Sequence, residues 1–283
     1  YPGFNFKVAR FAHQQGIRTF YYISPKVWAW KERRVERIRK YVDKLFIIFP
    51  FEIDYFKQKG IEALYEGNPI MDSIAQTLAQ VPAREEFCAQ NGLSDEPIVA
   101  LLAGSRASEV KRNLAFMTAL SERFPEHQFV VAGVSWLDRG LYDKFLEGSR
   151  VKFVTDQTYG LLRYAEGAVV CSGTATLETA LIGTPEVVCY RMDEFSYRVA
   201  RAFVKIGFIS LVNIIMKREV VRELIQHDMT VENAATELKA IMKGGEKHDR
   251  MMTDYAELQA VVGGEGASDR FAARMVAILK GEE

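Results

Sequence analysis

Apolar and polar positions along this chain follow two periods. Short, almost unbroken apolar runs alternate with stretches in which apolar residues return every three or four positions. The runs RTFYYIS (18–24), DKLFIIFPF (43–51), EALYEGNP (62–69), PIVALLAGS (97–105), HQFVVAGV (127–134), VKFVTD (151–156), GAVVCSG (167–173) and PEVVCYRM (185–192) predict strands. Between them, FNFKVARFAHQQG (4–16), KERRVERIRKYV (31–42), EIDYFKQKG (52–60), SEVKRNLAFMTALSERFP (108–125), LDRGLYDKFLEG (137–148), YGLLRYAEG (159–167), TATLETALIG (174–183) and FSYRVARAFVKIG (195–207) predict helices. Residues 70–93 read as a polar helical connector interrupted by Pro82, and the tail from Thr230 as helices broken at Gly244-Gly245 and Gly263-Gly264. Strands apolar along their whole length, each followed by a helix, belong to parallel sheets covered on both faces.

The expected architecture is α/β: two Rossmann-like, doubly wound domains, the N-terminal one truncated. Residues 1–69 form the end of the first domain, 70–96 a connector and 97–262 the second domain. Residues 263–283 form a C-terminal helix able to pack back on the first.

Composition narrows the function classes. The 283 residues are 48% hydrophobic and 26% charged, which suits a globular protein with a sizeable core. Lys plus Arg number 37, as do Asp plus Glu, so no global field draws in nucleic acid. Cys88, Cys171 and Cys189 form no CxxC and read as neither disulfide framework nor zinc knuckle; they fit a reducing cytoplasm. His13, His127, His227 and His248 show no metal-ligand spacing. The N-terminal stretch is interrupted by charges and is not a signal peptide. It opens in mid-pattern without a Met, so the chain is expected to lack its own beginning.

Ligands of doubly wound sheets sit beyond the carboxyl ends of the strands. Two strand-to-helix junctions are candidates. In ALLAGSRASEVKRN (100–113), Gly104 permits close approach of the backbone, Ser105 and the helix start offer N–H groups, and Arg106 adds a planar cation suited to phosphate. In VVCSGTATLETALIG (169–183), Ser172, Gly173, Thr174 and Ala175 are small and precede a helix. One turn later, off the apolar face of Leu177, Ala180 and Leu181, stands Glu178, placed to accept both hydroxyls of a ribose. The plainer readings are an ordinary turn with a solvated Arg106, and a Glu178 placed favourably near a helix start. Two phosphate-friendly junctions in one domain point to a nucleoside diphosphate; neither carries GxGxxG, which speaks against a dinucleotide.

Trp28 and Trp30, in YYISPKVWAWKERR (21–34), read either as core anchors or as a wall of a sugar or acyl pocket. The basic helix with Arg33, Arg34, Arg37, Arg39 and Lys40 reads as a solvated face or a contact with an anionic membrane. The aromatic and basic segment 195–211 reads as core packing or an interfacial helix.

The blocks SPKVWAWKERRVERIRKYVDKLFIIFPFE, EGNPIMDSI, LLAGSRASEVKRN, CSGTATLETALIGTPEVVCYRM and FVKIGFISLVNIIMKREVVRELIQ, in this order, resemble the lipid-A-disaccharide synthase family from Pro2 to about Gln226. The resemblance implies a GT-B glycosyltransferase with two Rossmann-like domains and a cleft between them, and neither metal nor other cofactor. It implies transfer, with inversion, of 2,3-diacylglucosamine from its UDP carrier to the 6-hydroxyl of 2,3-diacylglucosamine 1-phosphate, at the inner face of the cytoplasmic membrane. By resemblance, Arg106 stabilises the leaving UDP. Gly104, Ser105, Ser172, Gly173, Thr174, Ala175, Glu178 and Asn213 hold the nucleotide-sugar, and Trp28 and Trp30 line the opposite wall. The family's essential aspartate, in D-x-P-x-F-N, would be the residue before Tyr1, so the chain as it stands is expected to bind UDP weakly and to turn over poorly or not at all. Ala103, Ala107, Asn68, Val212 and Gly3 depart from the usual family residues. The junctions by themselves leave open a UDP-sugar epimerase, a transferase for a soluble acceptor, or a non-catalytic nucleotide-sugar-binding module. A homodimer is compatible with the pattern.

Overall fold

The computed structural model describes every residue except Trp30, Ser172, 192–206 and Glu283. In chain order its elements are α1 (Pro2–Gln14), β1 (Phe20–Tyr22), α2 (Val35–Tyr41), β2 (Lys44–Ile47), α3 (Phe51–Gln58), β3 (Ala63–Tyr65), α4 (Ile70–Leu78) and α5 (Arg84–Asn91). There follow β4 (Ile98–Leu102), α6 (Ala107–Ser121), β5 (Gln128–Gly133), α7 (Arg139–Leu146), β6 (Lys152–Thr155), α8 (Thr158–Tyr164), β7 (Ala165–Val170), α9 (Thr174–Ile182) and β8 (Glu186–Tyr190). The remainder is α10 (Leu211–Met216), β9 (Glu223–Ile225), α11 (Val231–Ile241), α12 (His248–Val262) and α13 (Ala267–Lys280). None of the described helices is long and apolar enough to cross a membrane. The expected helix over 195–207 lies almost wholly outside the described residues.

The chain forms two compact units, dividing after Ser73 and after Leu258. In the first, β1, β2 and β3 make a three-stranded parallel sheet in that order. Phe6 of α1, Val35 and Ile38 of α2 and Phe56 of α3 pack with Leu45 and Ile47. Phe271 and Ile278 of α13 pack with Phe46. Because successive side chains of a strand point to opposite faces, Leu45 and Ile47 serve one layer and Phe46 the other.

The second unit holds a six-stranded sheet, ordered β6-β5-β4-β7-β8-β9, with every pair parallel. Numbered from its own first strand, the order is 3-2-1-4-5-6, the doubly wound arrangement. All residues of β4 and β5 are buried, as their apolar runs predict for strands covered on both faces. Each fully buried Leu or Val contributes about 1.5–3 kcal/mol relative to exposure. The winding reverses between β4 and β7, so the loops leaving their carboxyl ends diverge to opposite faces and leave a crevice.

Two features depart from the expected pattern. The stretch read as a connector belongs to the second unit from Ile74 onward, because Phe87 and Cys88 of α5 are buried among Ile98, Val130, Leu161 and Ala168. Strand β9 was not expected: it is three residues long and starts on a charge, Glu223.

Candidate functional site

Both candidate junctions flank this reversal. Gly104, Ser105, Arg106 and Glu109 from the β4–α6 side, and Gly173, Thr174, Ala175 and Glu178 from the β7–α9 side, line one cavity of about 350 Å³. Leu102, Ala132, Val134, Thr158 and Cys171 complete its lining.

Gly104 is required by its backbone. Its φ is +108°, and a Cβ there would lie 2.5 Å from the Cβ of Glu109. Beyond it the Glu109 carboxylate folds back onto the junction. Its Oε2 accepts from the N–H of Ser105 at 3.1 Å and of Arg106 at 3.3 Å, and its Oε1 accepts from Nη1 of Arg106 at 2.7 Å. The start of α6 is thus closed by the carboxylate half of a capping box, Glu109 at N3 accepting from the N-cap amide of Arg106. The amides and guanidinium expected to meet a phosphate are held by an internal carboxylate.

At the other junction, Gly173 has φ +130° and no side chain caps the first turn of α9 among the described residues. Thr176 instead donates its hydroxyl to the Gly173 carbonyl, at 2.9 Å. Thr174 and Ala175, which open α9, line the cavity, and a helix start without a side-chain cap favours an anion. Ser172 lies outside the described residues.

Glu178 is half-buried, and Tyr159 donates its hydroxyl to Oε1 at 2.9 Å. Burial pushes the Glu178 carboxyl up from its ordinary value, and the tyrosine hydrogen bond partly offsets this. Burial, together with the neighbouring Glu178, raises the Tyr159 phenol well above its usual range. Tyr159 lines a second cavity of about 570 Å³ with Trp136, Asp156 and Gln157; the two cavities share Val134 and Thr158. The Trp136 indole donates to the Ser105 carbonyl at 3.1 Å, fixing its edge against the first junction.

Sequence reasoning passed over the residue that joins the junctions. Asn113, buried on α6, donates from Nδ2 to the Ala103 carbonyl at 3.3 Å, to the Glu109 carbonyl at 2.9 Å and to Sγ of Cys171 at 2.6 Å. It therefore spans the ends of β4 and β7. Burial pushes the Cys171 thiol up to about 12, which makes it an inert packing partner. Tyr159 was also passed over; only its turn-adjacent position could have signalled it.

Asn213 stands apart from the other candidate residues. It is fully buried and lines neither cavity. Its Nδ2 donates to the Val221 carbonyl at 2.8 Å and to Glu223 at 2.9 Å, and its Oδ1 accepts from the N–H of Val220 at 2.7 Å and of Val221 at 3.0 Å. Its side chain is spent on tying α10 to the approach to β9.

In the first unit Trp28 is half-buried on the loop after β1, its indole N–H donated to Glu52; Trp30 lies outside the described residues. On the basic helix, Arg39 pairs with Glu36. Among the described residues no three His, Cys, Asp or Glu side chains are grouped to hold a metal.

Residues 1–272 match the profile of the family described as Lipid-A-disaccharide synthetase. The lipid-A-disaccharide synthases of Syntrophus aciditrophicus and Myxococcus xanthus are 36% and 35% identical to the chain. These alignments cover 99% and 98% of it, and 74% and 73% of the relatives. Among solved structures, a UDP-GlcNAc 2-epimerase from Neisseria meningitidis bound to UDP-GlcNAc superposes with TM-score 0.59 at 14% identity, over 96% of this chain and 72% of that one. WaaG, a glycosyltransferase involved in lipopolysaccharide biosynthesis, superposes with TM-score 0.52 at 16% identity, over 90% and 78%. At such identities the likeness is one of fold, the GT-B class.

Proposed function

The chain belongs to the lipid-A-disaccharide synthetase family, glycosyltransferases of lipid A biosynthesis that use a UDP-sugar donor and a lipid acceptor, and from that premise we propose how its second unit holds the donor. The donor diphosphate lies across the winding reversal. Arg106 and the amides of the Gly104–Arg106 turn meet it from one side, and Gly173, Thr174 and Ala175 from the other, with Ser172 in the same turn. Glu109 leaves the nest when the phosphate enters, since two anions cannot share those donors. Glu178 accepts the ribose hydroxyls, with Tyr159 holding its other contact. The base takes the adjoining cavity beside Trp136, Asp156 and Gln157. The observation that supports this reading is that residues of both junctions, among them Arg106, Thr174, Ala175 and the half-buried Glu178, line one cavity.

The sugar transferred is 2,3-diacylglucosamine and the acceptor is 2,3-diacylglucosamine 1-phosphate, joined β-1,6 with inversion. As UDP leaves, the negative charge that grows on its phosphate is met by the Arg106 guanidinium and the start of α9, which need not reorganise at the moment of bond breaking. Because both substrates carry acyl chains, the enzyme works at the inner face of the cytoplasmic membrane.

The test is UDP release by the enzyme supplied with each lipid separately and with both. Release is expected only with both. Epimerisation of UDP-N-acetylglucosamine in the absence of any acceptor would replace this reading with the epimerase one.

A further inference from the structure

The first unit contains a buried carboxylate that the donor site does not use. Glu52, at the start of α3, is 1% exposed. Its Oε1 accepts from the indole N–H of Trp28 at 2.9 Å and its Oε2 from the N–H of Phe49 at 3.2 Å. Trp28 follows β1 and Phe49 follows β2, and these strands are paired in parallel, Tyr22 opposite Phe46. The contact therefore ties together two loops at the carboxyl edge of the sheet. Around it the rings are fixed: Trp28 meets Phe51 edge-on at 5.0 Å and 84°, Phe51 stacks on Phe49 at 5.7 Å and 6°, and the Lys26 ammonium lies 5.3 Å over Phe49.

A helix cap alone would need only the bond to Phe49, which a small exposed side chain makes at lower desolvation cost. An apolar residue would fill the space but leave the indole N–H unpaired. The second oxygen is spent on orienting a Trp that remains partly exposed. A rigid indole face suits the apolar C–H face of a pyranose, and a ring held before binding loses little freedom on binding.

We propose that Glu52 is a positioning residue for the acceptor: it locks the Trp28 indole as a preformed platform for the pyranose ring of the lipid acceptor. The proposal rests on the transferase reading above.

Two measurements separate the inference from that reading. In a Trp30→Phe, Trp136→Phe background Trp28 is the sole emitter. Glu52→Ala is expected to shift its emission to the red and lower its anisotropy, and Glu52→Gln, which keeps an accepting oxygen, to restore most of both. In the enzyme with its tryptophans intact, Glu52→Ala is expected to raise the acceptor KM about tenfold while donor KM and kcat change less than twofold, again with rescue by Gln; circular dichroism checks that each variant is folded. Unchanged emission and anisotropy in Glu52→Ala would overturn the positioning role whatever the activity. Altered emission with an unchanged acceptor KM would also overturn it. If epimerisation of UDP-N-acetylglucosamine replaces sugar transfer while Glu52 still controls Trp28 emission, the transferase reading fails, and with it the acceptor role but not the coupling.

Discussion

The two junctions at the winding reversal of the second unit share topology and differ in readiness. After β4, the carboxylate of Glu109 already holds the Ser105 and Arg106 amides and the Arg106 guanidinium. After β7, the first turn of α9 opens on Gly173 with no side-chain cap among the described residues. An anion reaching the first junction makes an exchange, one carboxylate for one phosphate, with little net change in hydrogen bonding. An anion reaching the second makes an addition. On the proposed reading the first junction is selective, admitting only a ligand that outcompetes a tethered carboxylate, and the second supplies affinity. Asn113 bonds the Ala103 carbonyl and Cys171 and so links the two strand ends.

The largest expected effect breaks the first junction at its charge. Arg106→Ala removes the group proposed to meet the leaving diphosphate, and kcat at saturating acceptor should fall on the order of 100- to 1,000-fold, the usual cost of one transition-state donor. An unchanged kcat would mean that the second junction alone carries the leaving group.

Glu178→Ala should weaken UDP binding roughly 10- to 100-fold, the range for hydrogen bonds to a charged group, as read by calorimetry. The loss should vanish with a 2′,3′-dideoxy nucleotide, because the ribose hydroxyls are the bonds in question. Asn113→Ala should lower stability by about 1–3 kcal/mol in urea unfolding, since the Ala103 carbonyl and Cys171 lose a buried donor. It should also weaken UDP more than its distance from the ligand suggests, if the junctions act together.

The pH dependence of Glu178 sharpens the comparison. Its carboxyl is raised by burial, so the folded protein holds that proton above the pH at which the unfolded chain releases it. Its contribution to stability is complete below the ordinary carboxylate value and is lost as pH rises through the raised one. The ligand-free enzyme should thus lose stability over that window while UDP affinity grows, and Glu178→Gln should flatten both profiles. Thermal melts and calorimetry at several pH values read the two slopes. The smallest effect is at the tethered carboxylate. Glu109→Gln leaves the nest partly filled by a neutral competitor, and UDP affinity should rise about two- to fivefold, in keeping with the modest worth of a partly exposed ion pair. Weaker binding instead would show that Glu109 orients Arg106 rather than competing with the ligand.

Much of this was legible before any coordinates. Strands β4, β5 and β7 announce themselves because burial on both faces requires unbroken apolar runs, and Gly104 and Gly173 because both junctions need backbone that other residues resist. Other features were not, for physical reasons. Strand β9 is three residues long with only Leu224 buried, and its Glu223 is turned to Asn213 and the Ser210 amide. Helix α5 looks like a linker because most of its surface is polar and only Phe87 and Cys88 reach the core. Glu109 and Asn213 show the sharper limit. Residue type marks each as polar and near a junction, but the direction of the side chain decides its work. Asn213 turns inward and is consumed by the turn before β9, whereas Glu109 turns back onto its own helix start.

One more consequence follows from where sulfur sits. Cys88, Cys171 and Cys189 are all buried, all in the second unit, and the last two resist ionisation because of that burial. Thiol reagents in the surrounding solution should find Cys88 and Cys189 silent until that unit opens, and Cys171 reachable only through the cavity it lines. The pace of covalent labelling then becomes a clock for its breathing, and a nucleotide lodged at the winding reversal should slow the Cys171 hand most.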